Sequence, residues 1–214
     1  MARVLGLRQM MDKKYKLLTG LPPEITRSFG QLVEGFIMVV WGQSGAGKSN
    51  FLMAFLKCLA VFGKVLYIGL EEGTEASMQI KVLNHLDIDL HKGKIEFADH
   101  EMTLAELNKR LAKKRKPKWV IIDSLQYWDI NYPQYKKLKE DNKGVGFIFI
   151  SHANGKKPEG KTAGKICYDA GIKVYVEGYV AQVVSRYGGN KPYIIWEEGA
   201  KRYWRAKKLK EFKA

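Results

Sequence analysis

One eight-residue stretch constrains the fold of this chain more than any other feature. Residues 42–49 read Gly-Gln-Ser-Gly-Ala-Gly-Lys-Ser, which fits the phosphate-binding pattern G-x-x-x-x-G-K-[ST] at every specified position. An apolar run at 36–41 precedes the pattern, and a segment with helical periodicity at 50–61 follows it. A strand, a glycine-rich loop and a helix in this order form a P-loop, whose backbone N–H groups point at phosphate oxygens. The stretch therefore predicts a nucleoside triphosphate site in an α/β domain.

Different residues of this loop are expected to bind the phosphates and the metal ion. We expect Lys48 to reach the β- and γ-phosphates and the Ser49 hydroxyl to bind Mg²⁺. Asp123 ends an apolar segment and matches the second magnesium-holding element of P-loop proteins. The predicted nucleotide-binding residues are Gly42, Gln43, Ser44, Gly45, Ala46, Gly47, Lys48, Ser49 and Asn50.

Apolar segments alternate with helical ones over most of the chain. The predicted strands are 36–41, 65–69, 95–97, 119–123 and 146–151, and the predicted helices are 48–61, 75–86, 104–114 and 134–140. Because the strands are apolar throughout, they predict a mostly parallel sheet with helices on both faces. Three short alternating segments, at 172–177, 181–186 and 192–196, predict an antiparallel C-terminal extension.

The charge balance indicates an anionic partner. The chain has 37 Lys and Arg against 22 Asp and Glu, a net charge of +15, which favours nucleic acid first and an acidic membrane surface second. Residues 153–165 are rich in Gly and Lys and lack apolar periodicity, which predicts a mobile loop. Its lysines suit contacts to a phosphate backbone, and the predicted nucleic-acid-binding residues are Lys156, Lys157, Lys161 and Lys165.

Composition also narrows the class of protein. A hydrophobic fraction of 46% is typical of a folded globule. Cys58 and Cys167 stand far apart without a C-x-x-C partner, which argues against a zinc site or a disulfide framework. We find no secretory or membrane-spanning segment and expect a cytoplasmic protein without a membrane partner. We expect one ATPase core at 31–205, between a basic leader at 1–30 and a basic tail at 206–214.

Two further predicted strands end in polar residues that bear on catalysis. Glu71 and Glu72 follow the strand at 65–69, where a carboxylate can act as a general base toward water. The alternative, which we favour less, is that the pair simply begins the next helix, where acidic residues are common. His152 follows the strand at 146–151, where it would lie near the γ-phosphate or simply cap a loop.

The order of these motifs resembles the RecA-like ATPase core, nearest to RadA-type recombination ATPases and ring-shaped, DnaB-like replicative helicases. The resemblance covers residues 30–205 and rests on the P-loop, Leu70-Glu71-Glu72, Ile121-Ile122-Asp123-Ser124 and Ile150-Ser151-His152. It implies a RecA-like fold that uses ATP with Mg²⁺. It also implies that Glu71 is the catalytic glutamate, with Glu72 as second choice, and that His152 senses the γ-phosphate.

The same resemblance implies assembly into a ring or filament, with ATP bound between subunits. Ser185-Arg186-Tyr187-Gly188 resembles the end of the RadA-type K-N-R-F-G motif, which would make Arg186 an arginine finger toward the neighbouring subunit. On sequence alone, Arg186 is equally well explained as a solvated strand-end residue. Val184 stands where that motif carries Lys, so one cationic contact is missing.

These observations predict a DNA-stimulated ATPase that acts on single-stranded DNA in recombination, repair or replication. Two alternatives stay open. One is an ATP-switched DNA-binding mediator with little turnover, which Val184 favours. The other is a small-molecule P-loop kinase, although such enzymes usually carry an Arg-rich lid where this chain is rich in Lys.

Overall fold

A computed structural model describes residues 4–213 of the chain. Its strands are β1 Ile37–Trp41, β2 Val65–Gly69, β3 Ile95–Ala98, β4 Trp119–Asp123, β5 Gly146–Ser151, β6 Ala153–Asn154, β7 Lys157–Pro158, β8 Ile172–Glu177, β9 Val180–Ser185 and β10 Tyr193–Ile194. Its helices are α1 Leu7–Met11, α2 Pro23–Phe29, α3 Lys48–Phe62, α4 Ala76–His85, α5 Ile88–His91, α6 Leu104–Leu111, α7 Tyr132–Asp141, α8 Lys161–Asp169, α9 Glu197–Tyr203 and α10 Ala206–Lys213. A 3₁₀ turn at Leu125–Tyr127 follows β4.

Eight strands form one sheet in the order β10-β9-β8-β1-β5-β4-β2-β3. The pairs from β8 to β3 are parallel, whereas β9 and β10 are antiparallel to their neighbours. The predicted α/β class, with its mostly parallel sheet and antiparallel C-terminal extension, is confirmed. Parallel pairing places Gly69 beside Asp123 and Trp41 beside Ser151. The segments that follow β1, β2, β4 and β5 therefore meet at one edge of the sheet.

Helices cover both faces of this sheet, and each face has its own apolar core. On one face, Phe51 and Phe55 of α3 pack their rings against Phe29 of α2. On the other face, Leu107 of α6 and Tyr135 of α7 are fully buried. Burial on both faces explains why the parallel strands are apolar without alternation. Phe29 belongs to the segment that we predicted as a basic leader, and it lies in the core.

The strand predictions from hydrophobicity are closely matched. The strands at 119–123, 146–151 and 172–177 have the predicted bounds, and α3 differs from its prediction by one residue at its C-terminal end. Helix α6 begins at a capping box, for which the sequence has the T-x-x-E pattern at 103–106: the Glu106 N–H donates to Thr103 Oγ1 at 3.2 Å and the Thr103 N–H donates to Glu106 Oε2 at 2.8 Å. Caps and apolar runs are local signals, so they are read correctly without knowledge of the fold.

The prediction of a mobile loop at 153–165 is wrong. The segment forms a β6–β7 hairpin followed by the first turn of α8. Gly155 supplies the left-handed turn of the hairpin at φ +59°, and the Trp41 indole N–H donates to the carbonyl of Lys156 at 3.1 Å. In α8, Ala163 and Ile166 are buried against the core and Cys167 packs beside them, so this helix is attached to the domain along one face.

The C-terminal residues also have defined structure. Leu209 and Phe212 of α10 are buried in a small cluster with Val180 and Ala200, and the ring of Phe212 packs edge-on against Trp204. The basic tail is therefore an amphipathic helix with one face attached to the domain. Within residues 4–213, no helix has the length and apolar character needed to cross a bilayer.

Candidate nucleotide-binding site

The P-loop connects β1 to α3 at the edge where the parallel strands end. Gly45 and Gly47 adopt left-handed backbone angles, φ +73° and φ +106°, which non-glycine residues rarely accept. A Cβ atom on Gly42 would overlap the carbonyl oxygen of Val176 in β8, so the loop can follow this path only with glycine there. The loop leads into the 15-residue helix α3, whose free N–H groups and dipole favour an anion at its N-terminus.

Lys48, the first residue of α3, turns back over the loop. Its ammonium group donates to the carbonyls of Gly42 at 2.8 Å and Gln43 at 3.1 Å. Burial lowers the pKa of Lys48, and the nearby carboxylates of Asp123 and Glu71 oppose that shift. The loop therefore holds a cationic donor at its own mouth, facing two carboxylates.

A cavity of about 670 Å³ opens at this point, within the size range of small-molecule sites. It brings together most of the predicted nucleotide-site residues. Its lining consists of Gln43, Ser44, Gly45, Gly47, Lys48, Ser49, Asn50, Gly69, Glu71, Glu72, Met78, Lys81, Asp123, His152, Ala153, Glu159, Tyr179 and Trp196. The segments that follow β1, β2, β4 and β5 supply most of these groups, as expected for a ligand site of an open α/β sheet.

Asp123 lies at the end of β4 beneath this cavity. The phenolic O–H of Tyr67, from the neighbouring strand β2, donates to the Asp123 carboxylate. Burial raises the pKa of Asp123, and the hydrogen bond from Tyr67 partly offsets that effect. Burial, together with the charge of Asp123, also raises the pKa of Tyr67, so the phenol keeps its proton and remains a donor. Asp123 is thus held in one position by a buried neutral partner.

The two adjacent carboxylates have different surroundings. This bears on the choice of the general base, for which the sequence alone does not separate Glu71 from Glu72. The Glu72 carboxylate accepts from the Lys81 ammonium group of α4 at 2.5 and 2.6 Å. The Glu71 carboxylate instead lies 3.1 Å from His152 Nε2, and 42% of its side chain is exposed. The Glu72 side chain is almost as exposed, at 38%, so the two glutamates differ in their partners: Glu72 is paired with a lysine and Glu71 with an imidazole.

His152 is held from two sides. Its other ring nitrogen, Nδ1, is 3.7 Å from the carboxylate of Glu159. Its backbone N–H donates to Gln126 Oε1 at 3.0 Å, and the Gln126 amide donates to Ser151 Oγ and to the carbonyl of Glu159, both at 2.9 Å. Gln126 therefore connects the segment after β4 to the ends of β5 and the hairpin, with His152 at the centre.

Sequence reasoning assigned no role to Tyr67, Gln126 or Glu159. Tyr67 had one visible signal, a polar hydroxyl in a strand that otherwise contains only Val, Leu, Ile and Gly. Gln126 and Glu159 are 33 positions apart and meet only because β4 and β5 are neighbours in the sheet. No local pattern marks either of them.

Arg186 lies outside this cavity. It follows β9, and its guanidinium donates to the carbonyls of Tyr168 at 3.3 Å and Asp169 at 3.5 Å, at the C-terminal end of α8. Val184, at the position of the missing lysine, is 63% exposed on β9. Arg186 therefore does not reach the nucleotide site of its own chain.

The four predicted nucleic-acid-binding lysines fall on two separate elements. Lys156 and Lys157 lie in the β6–β7 hairpin, whereas Lys161 and Lys165 lie on α8, and all four are exposed. The hairpin is attached to the P-loop, because the Gln43 amide donates to the carbonyl of Ala153 at 3.1 Å. The hairpin and the nucleotide cavity thus share a direct contact.

Comparisons with known proteins support the fold. No protein-family profile matches the sequence, and neither does any curated protein. Among solved structures, the chain is similar to the crystal structure of flagellar accessory protein FlaH from Methanocaldococcus jannaschii. The TM-score is 0.56 at 15% identity, over 89% of this chain and 92% of that chain. At this identity the similarity concerns the fold alone, and together with the mostly parallel sheet and the P-loop it is consistent with the predicted RecA-like P-loop fold.

Proposed function

We propose that this protein binds and hydrolyses ATP and acts on single-stranded DNA. The observation that carries the proposal is the convergence of Lys48, Asp123, Glu71 and His152 on one cavity at the mouth of the P-loop. A lysine and a magnesium-holding carboxylate are recurring parts of P-loop phosphoryl-transfer sites, and a second carboxylate can activate the attacking water. Coupling to DNA would take place in recombination, repair or replication.

The P-loop binds the phosphates in this proposal. The N–H groups that open α3 and the ammonium group of Lys48 supply the positive field. The carbonyls of Gly42 and Gln43 hold Lys48 in advance, at 2.8 and 3.1 Å, so little reorganisation is needed to exchange them for phosphate oxygens. Lys48 then stabilises the negative charge that develops during transfer.

The donor set fits Mg²⁺. Ser49 offers a hydroxyl and Asp123 a carboxylate, and magnesium characteristically takes one or two such protein ligands together with phosphates and water. Burial raises the pKa of Asp123 and so disfavours its ionised form, and a cation bound beside it would offset that effect. Among the residues that the structure describes, no group of three or more His, Cys, Asp and Glu side chains forms a separate metal cage. When bound, Mg²⁺ would neutralise phosphate charge.

Glu71 serves as the general base. Its carboxylate is exposed in the cavity and accepts a proton from the attacking water. His152, 3.1 Å away, holds the carboxylate in place and passes the state of the γ-phosphate to Glu159 and the hairpin. Glu72 has no part in this step, since its carboxylate is occupied by Lys81.

The proposal includes a site shared between subunits of a ring or filament. Arg186 is exposed and lies outside the cavity of its own chain, which suits a residue that completes the site of a neighbouring copy. Its present partners are backbone carbonyls at 3.3 and 3.5 Å, which are weak enough to exchange. The missing lysine at Val184 favours slow hydrolysis and keeps the ATP-switched mediator as the second candidate.

The DNA partner in this proposal rests on charge and not on the structural neighbour, whose name describes an accessory protein of a flagellum. The net charge of +15 far exceeds what one nucleotide needs. The exposed lysines of the hairpin and α8 flank the nucleotide cavity, which suits a backbone contact that responds to ATP.

The test is ATP hydrolysis by the purified chain with and without single-stranded DNA, beside Lys48→Ala. Lys137→Ala, a highly exposed lysine of α7, is the matched control. Strong DNA stimulation that Lys48→Ala abolishes and Lys137→Ala preserves would support the proposal. Nucleotide-dependent DNA binding with negligible turnover would favour the mediator, and phosphorylation of a nucleoside or sugar without DNA would favour a kinase. No effect of DNA on binding or turnover would refute the DNA partner.

A further inference from the structure

Helix α8 has one face that is both basic and aromatic. Lys161, Lys165 and Tyr168 are spaced i, i+4 and i+7 and are all exposed, whereas Ala163 and Ile166 face the core. This spacing places the three exposed side chains in one row on the helix surface, over a length of about 10 Å at 1.5 Å per residue. We call these three residues the α8 face.

The aromatic ring of this face is unusually open. Tyr168 is 81% exposed, more than any other tyrosine among the described residues. The ammonium group of Lys173, in β8, lies 5.9 Å from the centroid of its ring. A single cation cannot cover both sides of a ring, so a flat surface of Tyr168 remains accessible beside a positive charge.

One further cation, Arg186, lies at the C-terminal end of the row, and Lys165 within the row is held in place. Lys165 lies 5.8 Å from the ring of Tyr132 in α7, which holds its long side chain across the surface. Arg186 binds the last carbonyls of the helix, next to Tyr168. The acidic residue within α8 itself, Asp169, is already occupied by the hydroxyl of Tyr135 and the ammonium group of Lys139. The exposed charges that α8 contributes to this face are therefore those of its two lysines.

We propose that the α8 face is a binding surface for single-stranded nucleic acid, with phosphates on Lys161 and Lys165 and one base stacked on Tyr168. The inference rests on the nucleic-acid partner of the proposed function, but it adds a stacking contact and moves the main contact from the hairpin to the helix. Alternating cations and an accessible ring are the combination that binds single strands without reading their sequence.

The composition of the face favours this partner over a membrane. A helix that lies on a bilayer inserts large apolar side chains between the headgroups. The α8 face exposes two lysines and one tyrosine, whereas the aliphatic residues Ala163 and Ile166 of the same helix are buried. Phosphates and bases match both kinds of group that the face offers, whereas an acidic headgroup layer matches only the lysines.

The stacking contact is tested by fluorescence anisotropy of a labelled dT oligonucleotide with the full-length protein and without nucleotide. Tyr168→Ala is expected to weaken binding about 5-fold or more, since a base stacked on an aromatic ring contributes roughly 1–3 kcal/mol. Tyr168→Phe keeps the ring and is expected to bind like the wild type. Tyr15→Ala, which removes another exposed tyrosine, is the matched control. An abasic oligonucleotide of equal length should bind Tyr168→Ala and wild type alike.

The phosphate contacts are tested by the salt dependence of the same binding. Each phosphate contact on a single strand contributes about 0.7 to the slope of log K against log salt. The double variant of Lys161→Ala and Lys165→Ala removes two such contacts and is expected to reduce the slope by about 1.4. The control is the double variant of Lys113→Ala and Lys114→Ala, two exposed lysines after α6. Circular dichroism melts of all variants check that the helix still folds.

Three experimental results would overturn the inference. Binding of the dT oligonucleotide that Tyr168→Ala leaves unchanged would remove the stacking contact, and a salt slope that changes only in the Lys113 and Lys114 variant would place the nucleic acid elsewhere. Binding to anionic vesicles in place of oligonucleotides would replace the partner. The binding assay contains no ATP. If the protein binds the oligonucleotide through the α8 face but does not hydrolyse ATP, only the proposed ATPase activity is refuted.

Discussion

The hydrogen bond from Tyr67 to Asp123 leads to a quantitative prediction. Tyr67→Phe removes the buried hydroxyl and keeps the ring, which is 1% exposed in the core. A hydrogen bond to a charged group contributes about 1.5–3 kcal/mol, so we expect the free energy of unfolding to fall by about that amount near pH 8. For a domain of this size, the loss corresponds to a decrease in Tm of about 3–12 °C.

The loss of stability in Tyr67→Phe is expected to increase with pH. Burial raises the folded-state pKa of Asp123, so this carboxyl contributes stability that is present below its unfolded pKa of about 4 and is lost as the pH rises through the folded pKa. The Tyr67 hydrogen bond lowers that pKa and so reduces the loss. Tyr67→Phe raises the folded pKa further, and the difference between wild type and variant should therefore grow with increasing pH.

The assay is urea unfolding of wild type, Tyr67→Phe, Asp123→Asn and the double variant at pH 5 and pH 8. The double-mutant cycle isolates the interaction between the two side chains. Tyr127→Phe, which removes a hydroxyl from a 55% exposed tyrosine, is the control for the substitution itself. A coupling below about 0.5 kcal/mol that is equal at both pH values would refute the argument, because it would mean that the buried carboxylate does not rely on this donor.

Three other predictions concern the site and its support. Glu71→Gln is expected to lower ATP turnover at least about 100-fold without weakening ATP binding, while Glu72→Gln changes turnover only a few-fold; equal effects in a phosphate-release assay would contradict the assignment of the base. Gly42→Ala is expected to weaken ATP binding more than about tenfold by calorimetry, because the added methyl group overlaps the carbonyl of Val176 and displaces the P-loop; unchanged affinity would show that the loop adapts. Thr103→Ala is expected to cost about 1 kcal/mol in urea unfolding through loss of the α6 cap, with ATP affinity unchanged.

The parts of the structure that the sequence predicts well are those with local signals. The P-loop, the apolar strands and the capping box each depend on residues within a few positions of one another. The position of Asp123 near the P-loop also follows from the sequence, because the carboxyl ends of all strands of a parallel sheet lie at one edge. The sequence favours Glu71 over Glu72 only through the family resemblance, and the structure adds a physical distinction in the ion pair of Glu72 with Lys81.

The parts that the sequence does not predict depend on which strands become neighbours. Tyr67 contacts Asp123 across 56 positions, and His152 contacts Glu71 across 81 positions. The segment 153–165 was predicted incorrectly for a different reason. Its glycines and lysines are typical of loops, but Ile166 just beyond it packs into the core and holds α8 in place. Tertiary contacts therefore override weak local preferences there.

The two outer strands of the sheet determine how copies of this protein can meet. One edge is β10, with two residues, and the other is β3, with four. Glu96 in the middle of β3 is paired with Lys64 and Arg110, which places charge along that edge. Edges this short and charged are poor templates for a further strand. Copies of the protein are therefore not expected to join edge to edge through their sheets, and the proposed ring or filament would form through side chains and helices, so that a subunit can leave without breaking strand pairs.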